Sequence, residues 1–121
     1  MPKKILIADD NDDLRSLLAY QLQARGYACV TAVNGIEAVE KCRSEKPDIV
    51  LLDVLMPGKD GTEAGAELRE DSATANIPII FLTALVEGSE GSGSQQGNRH
   101  MLPKSISVDD LVNKIEEILQ K

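Results

Sequence analysis

The chain has 121 residues, of which 42% are apolar, enough for one ordinary domain but too few for two well-buried ones. The formal net charge of −7 argues against nucleic acid as a direct partner, because phosphate backbones select basic surfaces. No apolar run reaches the length of a membrane span, and the N-terminus lacks the features of a signal peptide. We therefore expect a cytoplasmic protein without membrane contact.

Four apolar runs are typical of strands, and the densest of them are typical of strands buried on both faces of a sheet. A fifth strand is plausible over residues 99–102, RHML, although this segment is short and polar. The four clearer runs are KKILIA (3–8), ACVTAV (28–33), DIVLLDV (48–54) and PIIFLTA (78–84).

Between the strands, apolar residues recur with helical spacing. The first helix is expected to be capped by Asn11 or Asp12 and to end at Gly26, and the second stops before Pro47. At the last helix, Ser107 with Asp110 resembles a capping box. The apolar positions are Leu14, Leu17, Leu18 and Leu22 in the first helix, Ile36, Val39 and Cys42 in the second, Ala64 and Leu68 in the third (61–71), and Val108, Leu111, Val112, Ile115, Ile118 and Leu119 in the last.

Alternation of strands and helices predicts a parallel sheet with helices on both faces. The first, third and fourth strands are the most apolar and should be central, and the second and fifth should be edges. Right-handed crossovers then give the strand order 2-1-3-4-5, so we predict a single flavodoxin-like (βα)5 domain over residues 1–121.

The polar run EGSEGSGSQQGNRH, residues 87–100, stands where the fourth helix is expected. It has no apolar face, and each of its glycines costs about 1 kcal/mol in a helix relative to alanine. We predict that the fourth helix, over 87–96, is weak or disordered. The last helix must cover the same sheet as the others, so the run does not divide two domains.

Ligands of open α/β sheets bind outside the carboxyl ends of the strands, and polar residues collect there in this sequence. Asp9 and Asp10 follow the first strand, Asp53 ends the third, Thr83 ends the fourth, and Lys104 lies just beyond the fifth. Singly, each has a plain structural role open to it, as a helix cap, a loop residue or a solvated side chain. Together, at adjacent strand ends, they should converge.

Three converging carboxylates repel one another unless a cation joins them or their pKa values rise. Oxygen ligands with room for water suit Mg²⁺, which leaves positions open for phosphate oxygens. Lys104 would add a positive charge and Thr83 a hydroxyl donor for a phosphoryl group. A carboxylate nucleophile can accept that group as an aspartyl phosphate, by a reaction that depends on positioning and charge neutralisation.

Four segments resemble the receiver domain of bacterial two-component response regulators. They are LIADDNDDLR (6–15), DIVLLDVLMPGKDG (48–61), PIIFLTA (78–84) and GNRHMLPK (97–104). The resemblance implies that Asp53 is the phosphoacceptor, that Asp9 and Asp10 are acids of a Mg²⁺ site, and that Leu55 gives its backbone carbonyl to the metal. It further implies that Thr83 and Lys104 contact the phosphoryl group.

The implied phosphoryl donor is a phosphohistidine on a sensor histidine kinase or a histidine phosphotransfer protein. The protein would then act as a signalling switch rather than an enzyme, by contact with an output protein that the sequence does not identify.

The sequence departs from the family pattern in the loop after the fifth strand. The family usually has Lys-Pro with a cis bond, whereas here the order is Pro103-Lys104-Ser105. A cis Lys104–Ser105 bond would cost roughly 3 kcal/mol, so we predict either a trans bond with a shifted loop or a strained cis bond. Met101 stands where the family usually has an aromatic residue that couples to the threonine.

Other functions remain open at this point. A receiver-like interaction module that is never phosphorylated would carry the same fold. An aspartate-nucleophile phosphatase of the haloacid dehalogenase kind would need a general acid at position 55, where this chain has Leu55. A nucleotide-binding flavodoxin-like protein would need a Gly- or Ser-rich phosphate loop after the first strand, where four aspartates stand between residues 9 and 13.

Overall fold

The computed structural model describes residues 3–54, 56, 60–83, 95–96 and 99–120. Leu55 and most of the predicted weak fourth helix, residues 87–94, lie outside these ranges. The last two residues of that predicted helix, Gln95–Gln96, form a short strand instead.

The described residues form six strands and four helices in one α/β arrangement. The strands are β1 Lys4–Ala8, β2 Ala28–Ala32, β3 Ile49–Asp53, β4 Ile79–Thr83, β5 Gln95–Gln96 and β6 Arg99–Pro103. The helices are α1 Asp12–Ala24, α2 Gly35–Glu45, α3 Gly61–Glu70 and α4 Val108–Leu119, the last of which is the final helix of the sequence-based prediction.

The sheet has the order β2-β1-β3-β4-β6-β5, and its first five members run parallel. Because β6 is the predicted fifth strand, the predicted order 2-1-3-4-5 and the flavodoxin-like fold are confirmed. The prediction that this strand is an edge is wrong, because β5 pairs antiparallel with it through Gln95 and Gln96. A two-residue strand can form through backbone pairing alone, so its sequence need not contain the apolar residues by which strands were predicted.

Helices cover both faces of the sheet, and the core is divided accordingly. On one face, α2 and α3 pack over residues that include Leu6, Leu52 and Phe81. On the other, α1 and α4 pack over Ile7 and Leu51. Alternate side chains of the buried strands thus pack into the cores on opposite faces of the sheet, as expected for strands covered on both sides.

Each helix begins at a side chain that accepts a backbone N–H, which defines where the preceding loop ends. Asn11 caps α1 as predicted, and Ser107 caps α4 by accepting the N–H of Asp110 at 3.1 Å. Asn34 caps α2 and Asp60 caps α3. Gly26 follows the end of α1 with φ +97°, a conformation that favours glycine.

Some apolar positions that mark the predicted helices are not buried. Leu14 and Leu17 of α1 are 43% and 52% exposed, and Ile36 of α2 is 54% exposed. Leu22 is fully buried, so the inner face of α1 is narrower than its leucine pattern.

None of the helices in the described part of the chain combines the length and apolar character needed to cross a bilayer.

Candidate functional site

The acidic residues predicted to converge do so at the carboxyl ends of β1 and β3, which are neighbours in the sheet. Asp9 follows β1 and is 7% exposed, and Asp53 ends β3 and is 4% exposed. Asp10 lies beside them at the exposed rim. One carboxylate oxygen from each of the three lies within 4.8 Å of the others, the one such group of metal-binding side chains among the described residues.

Lys104 follows β6 and brings its ammonium group to the same place. Its Nζ lies 3.2 Å from Asp9 Oδ2 and 3.3 Å from Asp53 Oδ2. Its backbone N–H donates to the carbonyl of Thr83 at 3.0 Å, which continues the pairing of β6 with β4. The described residues contain no cis peptide bond, so the Lys104–Ser105 bond is trans, one of the two predicted outcomes. The lysine therefore reaches both acids without a cis bond.

The charge state of Lys104 is set by two opposing effects. Partial burial lowers the pKa of its ammonium group, whereas the carboxylates of Asp9 and Asp53 raise it, and the net pKa lies above the ordinary lysine value. Lys104 is thus fully charged at neutral pH and partly offsets the negative charge of the two buried acids.

Thr83 is the last residue of β4 and is 4% exposed. Asp53 pairs with Leu82 in the register of β3 and β4, so Thr83 lies one residue further toward the same end of the sheet. The structure therefore brings Thr83 to the edge at which Asp53 and Lys104 meet.

Asp9 is held through all four of its polar atoms. Its N–H donates to the carbonyl of Ala32 at 3.1 Å, and its Oδ1 accepts the N–H of Asn11 at 2.9 Å. Its Oδ2 faces Lys104, and its backbone carbonyl accepts Nη1 of Arg15 at 2.8 Å. Arg15 was not among the predicted site residues, and its local signal is its helical i,i+3 spacing from Asp12.

A second missed feature is the close approach of α3 to the end of β3. Gly61 donates its N–H to the carbonyl of Val54 at 3.0 Å, and a Cβ at position 61 would lie 2.2 Å from the Asp53 carbonyl oxygen. Asp60 and Glu63 form a capping box that starts the helix at this point. Gly61 thus lets the helix begin directly against the backbone of the predicted phosphoacceptor.

The three carboxylates suit a small hard cation. Opposite ligands of an octahedral Mg²⁺ lie about 4.2 Å apart and adjacent ones about 3 Å, given Mg–O distances of about 2.1 Å. Oxygens already within 4.8 Å of one another need only a small inward movement to share one ion. The donor set therefore fits Mg²⁺. Leu55, whose carbonyl was predicted as a further ligand, lies outside the described residues.

An apolar groove adjoins the acids. It has a volume of about 170 Å³ and lies between α1 and the segment that leads into α4, with Asp9 and Lys104 at one side. Leu14 and Leu17, both largely exposed, line it from α1. On the other face of the sheet, Met101 packs into the core beside its register partner Phe81, so a flexible side chain occupies the position of the usual aromatic residue.

Comparison with known proteins agrees with this geometry. The family model described as "Response regulator receiver domain" matches residues 5–116. The alkaline phosphatase synthesis transcriptional regulatory protein PhoP of Bacillus subtilis is 36% identical over 122 residues, covering all of this chain and 50% of PhoP. The chain thus spans about half the length of this and some other curated relatives. Protein PilH of Pseudomonas aeruginosa is 35% identical, with 96% of this chain and 97% of PilH covered.

Among solved structures, the response regulator protein TrrA of Thermotoga maritima was crystallised in complex with Mg²⁺-BeF. It is 36% identical and superposes with a TM-score of 0.81, covering 96% of this chain and 98% of TrrA. By its matched family model, its relatives and its fold, the chain belongs to the response regulator receiver domains of two-component signalling systems.

Proposed function

We propose that this protein is a phosphoacceptor switch that takes a phosphoryl group from a phosphohistidine onto Asp53. The observation that carries the proposal is the position of Asp53: it is 4% exposed, its Oδ2 lies 3.3 Å from Lys104 Nζ, and two further acids lie beside it. A buried carboxylate beside two other acids contributes little to stability, since like charges raise its energy.

The transfer makes one bond and breaks another. A carboxylate oxygen of Asp53 attacks the phosphorus, and the P–N bond of the phosphohistidine breaks with its electron pair left on the imidazole nitrogen. Asp9, Asp10 and Asp53 would hold Mg²⁺, with the Leu55 carbonyl as a further proposed ligand, and the bound ion would neutralise charge on the phosphoryl oxygens.

Lys104 and Thr83 have separate proposed roles. The ammonium group of Lys104 pairs with Asp9 and Asp53 before transfer and can shift to a phosphoryl oxygen once Asp53 is modified. Thr83 can donate its hydroxyl to the same group. The phosphoryl group would carry a charge of about −1.5 to −2 in place of the single negative charge of the carboxylate. This charge would draw both residues inward, and the movement at the ends of β4 and β6 is the proposed start of the signal.

The proposed partners are proteins. A sensor histidine kinase or histidine phosphotransfer protein would present its phosphohistidine at the carboxyl end of the sheet, where Leu14 and Leu17 offer exposed apolar contacts beside Asp9. An output protein would recognise the modified form by contact. We place this activity in the cytosol, because kinases of this kind use ATP, and we propose that residues 1–121 act as one receiver domain.

Incubation with acetyl phosphate and Mg²⁺, followed by intact mass spectrometry, tests the proposal. We expect one phosphoryl adduct on the wild type and none on Asp53→Asn. The matched control is Asp48→Asn, at the other end of β3, which should accept the group normally. Absence of an adduct on the wild type would instead support a receiver-like interaction module that is not phosphorylated.

A further inference from the structure

We infer that Arg15 is a positioning residue that sets the affinity of the site for its divalent cation by holding the segment from Asp9 to Asp12. The inference rests on the proposed metal and phosphoryl chemistry of this site. It concerns a residue that lies on α1 and is not itself a predicted metal ligand.

The guanidinium of Arg15 reaches back over the first turn of α1 with two separate contacts. Nη1 donates to the backbone carbonyl of Asp9 at 2.8 Å, and Nη2 contacts Asp12 Oδ1 at 2.5 Å. The fork therefore joins the residue at the end of β1 to the first residue of the helix. Only arginine offers two donor branches in this fixed planar arrangement.

Burial shows which of the two contacts fixes the arginine. The side chain of Arg15 is 13% exposed, whereas that of Asp12 is 81% exposed. An ion pair with such an exposed carboxylate contributes little, because water competes for both groups. The contact with the Asp9 carbonyl is partly buried, and a charge-assisted hydrogen bond there is stronger.

Loss of Arg15 would remove one of the four contacts that hold Asp9. Asp9 would keep its contacts with Ala32, Asn11 and Lys104, but its carbonyl would lose a donor where water is scarce. The peptide between Asp9 and Asp10 could then rotate, and the two carboxylates on either side of it would sample more orientations. A cation that requires near-ideal geometry would bind such a site less tightly.

The positioning role and the simple charge of Arg15 predict effects of opposite sign. A positive charge near the acids repels a divalent cation, so on charge alone its removal should tighten Mg²⁺ binding. If Arg15 positions Asp9, its removal should weaken binding. Residues that orient metal ligands typically change metal affinity about 10- to 100-fold when they are replaced.

Isothermal titration of the phosphate-free protein with MgCl₂ distinguishes the two. For Arg15→Met we expect about tenfold weaker binding, and for Arg15→Lys, which keeps the charge but has a single donor group, a loss of about threefold. The matched control is Arg25→Met, at the other end of α1, where Arg25 pairs with Asp109. That variant should bind within about twofold of the wild type.

Hydrogen exchange provides a readout that does not depend on the metal. The Asn11 amide, which donates to Asp9 Oδ1, should exchange faster in Arg15→Met while the amides of β1 stay protected. If Arg15→Met does not fold, Arg15→Lys decides alone, because it preserves the charge and the aliphatic stem.

Failure of the inference and failure of the proposed function give different results. If the wild type shows no Mg²⁺ binding, the proposed function is wrong at its metal site. If the wild type binds but both Arg15 variants bind as tightly or more tightly, the positioning role is overturned and the proposed function stands.

Discussion

At the amino end of the sheet, the charged groups of β1 and β3 have local partners. Lys4 pairs through Nζ with Glu45 at 3.1 Å, and its backbone N–H donates to Asp48 Oδ2 at 2.7 Å. At the carboxyl end of the same two strands, Asp9 and Asp53 are both buried and share the ammonium group of Lys104. Each end thus has one lysine near two acids, but the acids at the amino end are exposed or half-buried, whereas those at the carboxyl end are both buried and have a third acid, Asp10, beside them.

The different burial of the acids at the two ends separates charges that stabilise the fold from charges that serve the proposed function. Charges at the amino end are half-exposed and join β1 to β3 and α2, so their removal should affect stability alone. The excess of acid at the carboxyl end costs folding energy, which a bound cation would offset. Function should therefore be lost by changes at one end and kept after matched changes at the other.

Replacement of Lys104 and of Lys4, one at each end of the sheet, should give the largest difference in phosphorylation rate. We expect Lys104→Met to slow phosphorylation by acetyl phosphate about 100-fold or more, because removal of a preorganised charge from a reacting group typically costs this much. Lys4→Met should leave the rate unchanged, since its ammonium group pairs with Glu45 at the far end. The rate is measured by intact mass at saturating Mg²⁺. Equal rates for the two variants would remove the functional distinction between the ends.

A second contrast uses two glycines of α3. Gly61→Ala would place a Cβ 2.2 Å from the carbonyl oxygen of Asp53, and Gly65→Ala would place one 2.6 Å from Cζ of Phe81. Both changes should destabilise the fold by about 2 kcal/mol, as overpacking of a filled interior does. Only Gly61→Ala displaces the backbone of Asp53, so only it should also slow phosphorylation.

Urea denaturation and acetyl phosphate labelling check this pair at a temperature at which both variants are folded. The rates should be compared per folded molecule. A normal labelling rate in Gly61→Ala would mean that the end of β3 tolerates movement, which contradicts a site built on fixed geometry.

The sequence predicted most of the fold because apolar density ranks the strands of a parallel sheet. The dense runs at 48–54 and 78–84 became the central strands β3 and β4, and the less uniform run at 28–33 became the edge strand β2. Strand β5 could not be predicted, because two glutamines paired through their backbones carry no side-chain pattern. The exposure of Leu14 and Leu17 was missed for the related reason that spacing identifies a helix face but not how much of it is covered.

The sequence predicted which strand ends form the candidate site, but it did not predict the contacts between individual atoms there. Parallel strands carry their C-terminal residues to one edge, so Asp9, Asp53 and Lys104 could be expected to meet there. The hydrogen bond from Arg15 to the Asp9 carbonyl depends on the orientation of that carbonyl after β1, which the spacing of residues in the sequence does not specify. The roles predicted for Asp9, Asp10, Asp53, Lys104, Thr83 and Leu55 all stay predictions.

The smallest expected effect is a change in stability, and it tests most directly the excess of acid at the carboxyl end of the sheet. In EDTA, Asp48→Asn should lower the free energy of unfolding by about 1 kcal/mol, because the hydrogen bond from the Lys4 N–H loses its charged acceptor. Asp53→Asn should raise it by about 1 kcal/mol, because one of the carboxylates that share Lys104 becomes neutral. Urea denaturation monitored by circular dichroism measures both changes. Added Mg²⁺ should then stabilise the wild type and Asp48→Asn more than Asp53→Asn, since the last has lost one of the three proposed acidic ligands. A decrease in stability for both variants in EDTA would show that the carboxyl end is balanced after all, with Asp53 held there by structure rather than kept for phosphorylation.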